Sequence, residues 1–326
     1  MAREKKVLLY SGGMDSWLID KLWKPDVKLF FNIGTHNSDR ELERVRTRKD
    51  VTVIDLPLGE FEQLDNNYFL PLRNLHFVTY AAHYGDVICL GATGSSTHRD
   101  KNDVFATLSE NAINYLLGED GTREHPVKIV TPFRGMRKTE ILAKYISEGG
   151  DIQECYDQTF SCYDPTPDGK PCMKCTSCLS KFTAFYNNGY QFQQEVVEEF
   201  IRNTITNLNS KDESFQLAMK LKYGKKIICI DFDNTLTEHS KFPETGKLRK
   251  NCKEILTQLK SQGYYLILYT SRDGADFDTC VRVCQLNELP FDEYHHKTFA
   301  GYYVDDKAFK IENDEDWNKL LKEVMK

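Results

Sequence analysis

The sequence lacks any apolar run long enough to cross a membrane, and it contains no tract of low complexity. It also lacks an excess of positive charge, because 43 Lys and Arg residues stand against 49 Asp and Glu residues and the net charge is −6. No overall basic field therefore draws the protein to nucleic acid, although local basic patches stay allowed. The first six residues lead straight into an apolar run and not into a signal peptide. We expect a cytoplasmic protein with no membrane partner.

The length of 326 residues predicts two domains, each large enough to bury a core. Short apolar runs alternate with helical stretches through the first half, and a second alternation of the same kind starts at Lys226. Residues 191–224 contain little Gly or Pro and have apolar residues at helical spacing. We interpret them as a helical bridge between a first domain, 1–190, and a second domain, 225–326.

The alternation predicts a doubly wound parallel sheet with helices on both faces in each domain. Predicted strands of the first domain are Val7–Tyr10, Lys28–Ile33, Val51–Asp55, Val87–Gly91 and Lys128–Thr131. Its predicted helices are Asp15–Trp23, Asp39–Thr47, Asn74–Tyr84, Leu108–Leu117 and Arg137–Glu148. For the second domain we predict strands at Lys226–Asp231, Tyr264–Tyr269 and Tyr302–Val304, and helices at Leu248–Gln262, Ala275–Asn287 and Glu315–Met325. Ligands of such sheets bind at the carboxyl ends of the strands.

Six residues with the sequence SGGMDS join the first predicted strand to the first helix. Two glycines allow the backbone to approach an oxyanion, and the start of the helix offers unpaired N–H groups and a positive dipole end. Asp15 is unusual beside phosphates, and it fits either as a helix cap or as a ligand of a shared Mg²⁺. No GxxxxGK[ST] motif is present, which excludes a Walker-type loop. The pattern predicts a phosphate site at Ser11, Gly12, Gly13, Asp15 and Ser16.

Four of the ten cysteines crowd into 17 residues with the spacing C-x9-C-x2-C-x2-C; they are Cys162, Cys172, Cys175 and Cys178. Four thiolates on two tight turns are enough to close a tetrahedral Zn²⁺ site with no open position. We therefore predict a structural zinc and not a catalytic one. An iron–sulfur cluster and plain free thiols are the alternatives.

Four motifs occur in order in the first domain. They are SGGMDS, LPLRN at Leu70–Asn74, TPF followed by KTEI within Thr131–Ile141, and the cysteine cluster. In this combination the stretch from Lys5 to Asn188 resembles the QueC family of PP-loop ATP pyrophosphatases. Members of that family are 7-cyano-7-deazaguanine (preQ0) synthases, which adenylate a carboxy-deazaguanine with ATP and use ammonia to reach the nitrile.

The resemblance implies a PP-loop fold, also called adenine nucleotide alpha hydrolase-like, with ATP, Mg²⁺ and zinc as cofactors. The ATP phosphates and Mg²⁺ would lie on the SGGMDS loop, and the adenine would lie near Asn32 and Gly34 after the second strand. Arg73 and Lys138 would contact the phosphates or the acyl-adenylate; the alternative is that both are solvated cations at helix starts. A small deazapurine and ammonia would be the substrates.

One stretch departs from the family. After the strand Val87–Gly91 the family carries a loop containing Asp-Cys-Arg that helps to hold the deazapurine, whereas this chain reads GATGSSTHRDK from Gly91 to Lys101. The ATP half of the reaction is therefore better supported than the acceptor. Two alternatives stay open: adenylation of another acceptor, such as a tRNA base or a protein terminus, and an ATP-sensing module that regulates the second domain.

The second domain carries two carboxylates, Asp231 and Asp233, directly after its first strand. Alternate residues at a strand end share a direction, which suits a nucleophile and an acid–base group acting on one phosphoryl centre. Thr270 ends a later strand, Lys297 precedes another, and Asp305-Asp306 ends a third. This order of DxDxT, Thr, Lys and DD resembles the haloacid dehalogenase-like (HAD) phosphatases across residues 225–326.

The resemblance implies that Asp231 is the nucleophile and Asp233 the general acid and base. Thr270 and Lys297 would bind the phosphoryl group, and Mg²⁺ would be held by the two motif carboxylates with Asp305 or Asp306. About 35 residues from Thr237 to Thr270 leave no room for a cap domain, so we predict an open, capless site for an unknown phosphorylated substrate. An inactive scaffold is the alternative. The oligomeric state is open, with a homodimer as one option.

Overall fold

The computed structural model describes residues 3–35, 38–63, 70–94, 99–118, 125–209, 212–224, 226–239, 243–297 and 309–325. The chain divides into two compact units, Met1–Leu217 and Ala218–Lys326. The division falls within residues 191–224, where the sequence predicts a bridge; the predicted boundaries themselves stay a prediction. Among the described residues, no helix is both long and apolar enough to span a bilayer.

The first unit contains a five-stranded parallel sheet, which confirms the predicted mixed α/β architecture. Its strands are β1 (Lys6–Leu9), β2 (Val27–Asn32), β3 (Thr52–Asp55), β4 (Val87–Cys89) and β5 (Lys128–Val130). Their order across the sheet is β3-β2-β1-β4-β5. The chain therefore winds in one direction from β1 to β3 and in the other from β4 to β5, so β1 and β4 flank the point where the winding reverses. Crevices at such a reversal are where ligands of doubly wound sheets bind.

The described segments of the first unit also contain nine α-helices. They are α1 (Met14–Trp23), α2 (Ser38–Arg46), α3 (Arg73–Ala81), α4 (Asp103–Leu117), α5 (Lys138–Ser147), α6 (Ile152–Gln158), α7 (Thr176–Asn187), α8 (Gln194–Asn207) and α9 (Glu213–Tyr223), the last of which extends past the division between the units. Helices α6 and α7 are absent from the sequence prediction. Helix α4 begins five residues before the predicted start, because the Asn102 side chain caps it by accepting from the Phe105 N–H at 2.8 Å.

Both faces of the first sheet are buried, which explains its nearly continuous apolar strands. Leu8 packs into one core with Trp17 of α1 and Ile141 of α5. Val7, one residue earlier, points to the other face and packs into a second core with Val78 of α3. Loops therefore surround the ends of the strands, between the two helical layers.

The second unit has a smaller parallel sheet in the order β6-β7-β8, with β6 at Ile227–Ile230, β7 at Tyr265–Thr270 and β8 at Glu293–His296. Helices α10 (Cys252–Ser261), α11 (Gly274–Leu286) and α12 (Asp316–Val324) accompany it. Leu256 of α10, Leu266 of β7 and Trp317 of α12 belong to one buried core.

Lys297 follows strand β8, a strand that the sequence analysis does not predict. Its N–H donates to the Thr270 carbonyl oxygen at 2.8 Å. Strand β8 reads Glu-Tyr-His-His, and this polar composition gives no hydrophobic signal. The predicted strand Tyr302–Val304 lies outside the described residues.

Candidate functional site

The SGGMDS loop connects β1 to α1 as a tight turn. Gly12 has a φ of 75°, in the left-handed region that glycine adopts without strain, and Gly13 precedes the first helical residue. Ser16 is buried, and its Oγ donates to the Gly13 carbonyl oxygen at 3.1 Å and accepts from the Ser11 N–H at 3.2 Å. Ser16 therefore closes the loop, while Ser11 is exposed at its outer side.

The N–H groups at the start of α1 are not all free. The Met14 N–H donates to the Ser161 hydroxyl at 3.2 Å, a contact between residues far apart in the sequence. Phe160 and Ser161 also lie next to Gly13, where an added Cβ would come within 4 Å of both. Ser161 thus belongs to the loop's surroundings, and nothing in its local sequence points to that role.

Asp15 pairs with Lys138, the first residue of α5, through Oδ2 and Nζ at 2.8 Å. It makes no cap bond at the start of α1, which disfavours the capping alternative. Its other carboxylate oxygen, Oδ1, is buried and has no hydrogen-bond partner. Buried polar atoms of this kind usually have a partner. The orphaned oxygen therefore fits a cation or a donor group of a substrate, Mg²⁺ included.

Two further cations extend this group. Arg73 starts α3, and Lys101 ends the short 3-10 turn Arg99–Lys101 in the loop after β4. Burial lowers the pKa of Lys101, and the nearby cations Arg73 and Lys138 lower it further. Asp15 acts on Lys101 in the opposite direction. Asp15, Arg73 and Lys138 thus all lie near Lys101, a residue that the sequence analysis did not single out.

Asn32 and Gly34 lie at the carboxyl end of β2. The Asn32 side-chain amide donates to Asp55 Oδ1 at 2.7 Å, so this amide already has a partner. Gly34 has a φ of 71°, and its carbonyl oxygen lies 2.0 Å from the point that a Cβ on Gly59 would occupy. The segment is therefore packed closely against the chain after β3.

The four predicted zinc ligands form one cluster. Their sulfur atoms all lie within 4.8 Å of one another, and those of Cys172 and Cys178 are 4.0 Å apart. A Zn²⁺ ion with four Zn–S bonds of about 2.3 Å needs sulfur atoms about 3.8 Å apart, so the cluster fits the ion with small adjustments. Backbone N–H groups point at the sulfurs; that of Cys172, for example, donates to Cys162 Sγ at 3.2 Å. All four cysteines are free of disulfides.

The start of α7 supplies part of this environment. Cys175 caps the helix by accepting from the Cys178 N–H at 3.4 Å. A hydrogen bond from the Cys178 thiol lowers the pKa of Cys175 to about 4, and the same interaction raises the pKa of Cys178. One thiol of the cluster is therefore ready to ionise, as metal binding requires of all four.

In the second unit, Asp231 follows β6 and Lys297 follows β8. The Lys297 ammonium forms an ion pair with Asp231 Oδ2, and Asp231 Oδ1 accepts from the Phe232 N–H at 2.7 Å. The Thr270 hydroxyl is buried at the end of β7 and accepts from the Arg272 N–H at 3.3 Å. The strand ends thus bring Asp231 and Lys297 into contact, with Thr270 at the strand between them.

Asp233 makes a bidentate ion pair that the sequence analysis missed. Arg272 Nε donates to its Oδ2 at 2.8 Å, and Arg272 Nη2 donates to its Oδ1 at 2.6 Å. The guanidinium is only 3% exposed and also donates to the carbonyl oxygens of Pro243 and Glu244. The interaction with Asp233 raises the pKa of Arg272. An Arg two residues beyond a strand end was the only local signal.

The carboxylates Asp231 and Asp233 are oxygen donors of the kind that Mg²⁺ prefers, and they stand at one strand end. Both oxygens of the Asp233 carboxylate already accept hydrogen bonds from Arg272. Asp305 and Asp306 lie outside the described residues. Between Thr237 and Thr270 the described part of the chain holds α10, β7 and an antiparallel bridge from Thr237 to Leu248.

Residues 47–189 match the family model described as Queuosine biosynthesis protein QueC, which confirms the predicted resemblance over that range. The matched range includes Arg73, Lys101, Lys138 and the cysteine cluster. The SGGMDS loop, Asn32 and Gly34 lie before it, and the whole second unit lies after it.

Proteins named 7-cyano-7-deazaguanine synthase are similar to this chain. Those of Sulfurihydrogenibium sp. and Citrifermentans bemidjiense are both 28% identical, over 216 and 221 residues, which cover 56% and 57% of this chain and 94% and 95% of the relatives. That of Rickettsia africae is 27% identical over 226 residues, covering 58% of this chain and 97% of its own. More than two fifths of this chain therefore lies outside each alignment.

Among solved structures, a conserved protein from Bacteroides thetaiotaomicron is 24% identical and covers 30% of this chain and 88% of its own. Its TM-score of 0.25 is too low to inform the fold.

Proposed function

We propose that the first unit is an ATP-dependent ligase that converts 7-carboxy-7-deazaguanine and ammonia into 7-cyano-7-deazaguanine through an adenylated intermediate. The observation that carries this proposal is the match of residues 47–189 to QueC. Relatives named for that synthase support the same reaction, and they are matched over nearly their whole length. The gathering of Arg73, Lys101 and Lys138 beside Asp15 supports a site for anionic reactants.

In the first step, an oxygen of the acceptor carboxylate attacks the α-phosphorus of ATP, and pyrophosphate leaves. Both reactants are anions, so the chain must supply positive charge where they meet. Lys138 stands at the loop and would offset the charge of the phosphates. Asp15 Oδ1 would hold the Mg²⁺ that accompanies them, and those backbone N–H groups of the loop that are not engaged within the protein would hold phosphate oxygens.

In the second step, ammonia displaces AMP and gives the amide. The amide oxygen then attacks the α-phosphorus of a second ATP with release of pyrophosphate and a proton, and loss of AMP and the second amide proton gives the nitrile. Both rounds use the same phosphate loop, so residues of the loop serve both. The acceptor is a carboxylate in the first round and a neutral amide in the second.

The cysteine cluster is proposed to hold a structural Zn²⁺. All four ligands are protein thiolates, which leaves no position for substrate. Cys162 lies after α6, whereas the other three cysteines lie at or near the start of α7. A shared ion would therefore hold these two segments together, and it would fix the neighbouring Ser161 against the phosphate loop.

The ligase proposal is tested by product analysis. Purified protein with ATP, ammonia and 7-carboxy-7-deazaguanine should release AMP and pyrophosphate and form the nitrile, and omission of the deazapurine should stop AMP release. The variant Asp15→Asn should lose most of this activity. AMP release that a tRNA or a peptide terminus stimulates and the deazapurine does not would identify the other acceptor. ATP binding without any AMP release would favour a sensing module.

For the second unit we propose a Mg²⁺-dependent phosphatase that works through an aspartyl-phosphate. The support is the contact between Asp231 after β6 and Lys297 after β8, with Thr270 at the end of β7 between them and the Asp233–Arg272 pair beside them. Asp231 would attack the phosphorus, Asp233 would give its proton to the leaving group, and Lys297 would offset the charge of the transferred group. Water would then attack the aspartyl-phosphate and release phosphate, with Asp233 accepting a proton from the water. Asp231 would help to hold a Mg²⁺ ion, which would supply further positive charge.

The phosphatase is tested with p-nitrophenyl phosphate in excess Mg²⁺. Hydrolysis should occur with the wild-type protein and stop on addition of EDTA. An inactive scaffold would hydrolyse no member of a panel of phosphomonoesters, even with each divalent cation in excess.

A further inference from the structure

Lys101 is held at the edge of the candidate ligase site by a fixed turn. The Asn74 side chain is buried, and its amide donates to Asp100 Oδ2 at 2.8 Å and to the Asp100 carbonyl oxygen at 3.1 Å. Asn74 sits next to Arg73 at the start of α3. These two hydrogen bonds therefore tie the Arg99–Lys101 turn to the helix start that carries Arg73.

The Lys101 ammonium is half-buried, and within the described residues no acceptor lies at hydrogen-bond or ion-pair distance from it. The Arg73 guanidinium is in the same situation. The two side chains are close enough for each to oppose the charge of the other. Two like charges that are partly removed from water and have no partner are unfavourable, and a bound anion would remove the cost.

The topology says which reactant lies at this position. Lys101 belongs to the loop after β4, whereas the phosphate loop follows β1, and these neighbouring strands flank the point where the winding reverses. Lys138 is already paired with Asp15 on the phosphate side. Arg73 and Lys101 thus supply positive charge that has no partner among the described residues, on segments other than the phosphate loop, and this charge is available to the second reactant.

We propose that Arg73 and Lys101 together bind the carboxylate of the acceptor, with Lys101 as a specificity-determining residue. The inference rests on the proposed ligase function and names the group that this site recognises. Arg73 can pair with both carboxylate oxygens, while Lys101 adds a compact charge to one of them. Lys101 lies at the end of the stretch Gly91–Lys101, where this chain departs from the Asp-Cys-Arg pattern, and it supplies a cation there.

This assignment separates the two adenylation rounds. The carboxylate of the first round carries a charge that Lys101 would offset, whereas the amide of the second round carries none. Loss of the ammonium should therefore weaken the first round and leave the second nearly unchanged. A residue that only supports the fold, or one that binds ATP, would affect both rounds alike.

The test compares Lys101→Met and Lys101→Arg with Lys144→Met, an exposed lysine of α5 paired with Glu148. AMP release is measured with the carboxylated deazapurine and, separately, with its amide. Lys101→Met should lower kcat/KM for the carboxylate by roughly 10- to 100-fold and change kcat/KM for the amide and KM for ATP by less than about threefold. Lys101→Arg should recover most of the loss, and Lys144→Met should match the wild type.

Equal losses with the carboxylate and the amide, or a rise in KM for ATP, would overturn the assignment. If the wild-type protein releases no AMP with either base, the proposed function is wrong. The role of Lys101 is then tested separately by measuring the binding of both bases by calorimetry. In that case wild-type protein should bind the carboxylated base at least tenfold more tightly than the amide, and Lys101→Met should abolish the preference. Absence of any preference in the wild type would contradict the role of Lys101 as well.

Discussion

The two units place charged side chains at the carboxyl ends of parallel strands, but they balance the charges differently. In the second unit both carboxylates that the structure describes at the candidate site have a cation in contact. Asp231 pairs with Lys297, and Asp233 pairs with Arg272 through two hydrogen bonds. The charges of these four described side chains therefore balance, and the groups are held in place before any ligand arrives.

In the first unit the candidate site carries more positive charge than its own carboxylates offset. Lys138 pairs with Asp15, but Arg73 and Lys101 have no partner among the described residues. A site of this kind is completed by anions that the reaction supplies, namely the phosphates and the carboxylate. The contrast indicates that the second unit is organised around its own nucleophile, and the first around its substrates.

The largest effect is expected from a substitution of Asp231. Asp231→Asn should lower phosphatase kcat by at least about 10³-fold, because the nucleophile is lost. AMP release by the first unit should stay within about twofold of the wild type. The reciprocal variant, Lys138→Met, should lose AMP release and keep p-nitrophenyl phosphate hydrolysis. Each variant is assayed for both activities at equal protein concentration.

A result in which either variant lost both activities would break the comparison, since it would mean that one site depends on the other. Retained hydrolysis in Asp231→Asn would instead remove the nucleophile from the proposal for the second unit.

The next effect concerns the cysteine cluster of the first unit, which we propose to bind zinc. Cys175→Ser should abolish zinc binding, measured by elemental analysis. It should also lower the free energy of unfolding of the first unit by several kcal/mol, because zinc binding is coupled to folding. Cys229→Ser, which removes an exposed thiol of β6, is the matched control and should keep the full zinc content. A zinc content equal to that of the wild type in Cys175→Ser would exclude the assigned ligand set.

The contrast between the units also explains what the sequence predicted. Features carried by contiguous residues were accessible: the SGGMDS loop, the cysteine spacing and the DFDNT segment each have a local pattern with a physical meaning. Lys101, Ser161 and Arg272 were missed because each acts through partners on other elements. The Met14–Ser161 contact, for instance, joins residues 147 positions apart.

Some elements of secondary structure were missed from the sequence for similar reasons. Strand β8 has no apolar alternation to detect, and α6 and α7 flank the cysteine segment, whose turns obscured the helical spacing. The early start of α4 is different, because its signal was present: Asn102 is a favourable cap that precedes the helix directly.

A smaller effect is expected from a substitution of Arg272. It tests whether the ion pair with Asp233 depends on the geometry of the guanidinium or on its charge alone. Arg272→Lys keeps the charge but cannot make two parallel bonds to Asp233 together with bonds to Pro243 and Glu244. The free energy of unfolding of the second unit should fall by about 2 kcal/mol, and phosphatase kcat should fall about tenfold. Arg282→Lys, at an exposed position of α11, is the control and should change neither. Full activity in Arg272→Lys would show that charge alone is sufficient.

The smallest effect is expected in the backbone of the phosphate loop. Gly12 has a φ of 75°, so Gly12→Ala should cost about 1–2 kcal/mol of local strain even though the nearest side-chain atom leaves room for a Cβ. Gly135→Ala is the control, because Gly135 is exposed, has no left-handed φ and has open space around its Cβ position. KM for ATP should rise several-fold in Gly12→Ala alone. Because the proposed phosphate site uses backbone N–H groups of this loop, an unchanged KM for ATP would mean that the loop backbone does not contribute to ATP binding.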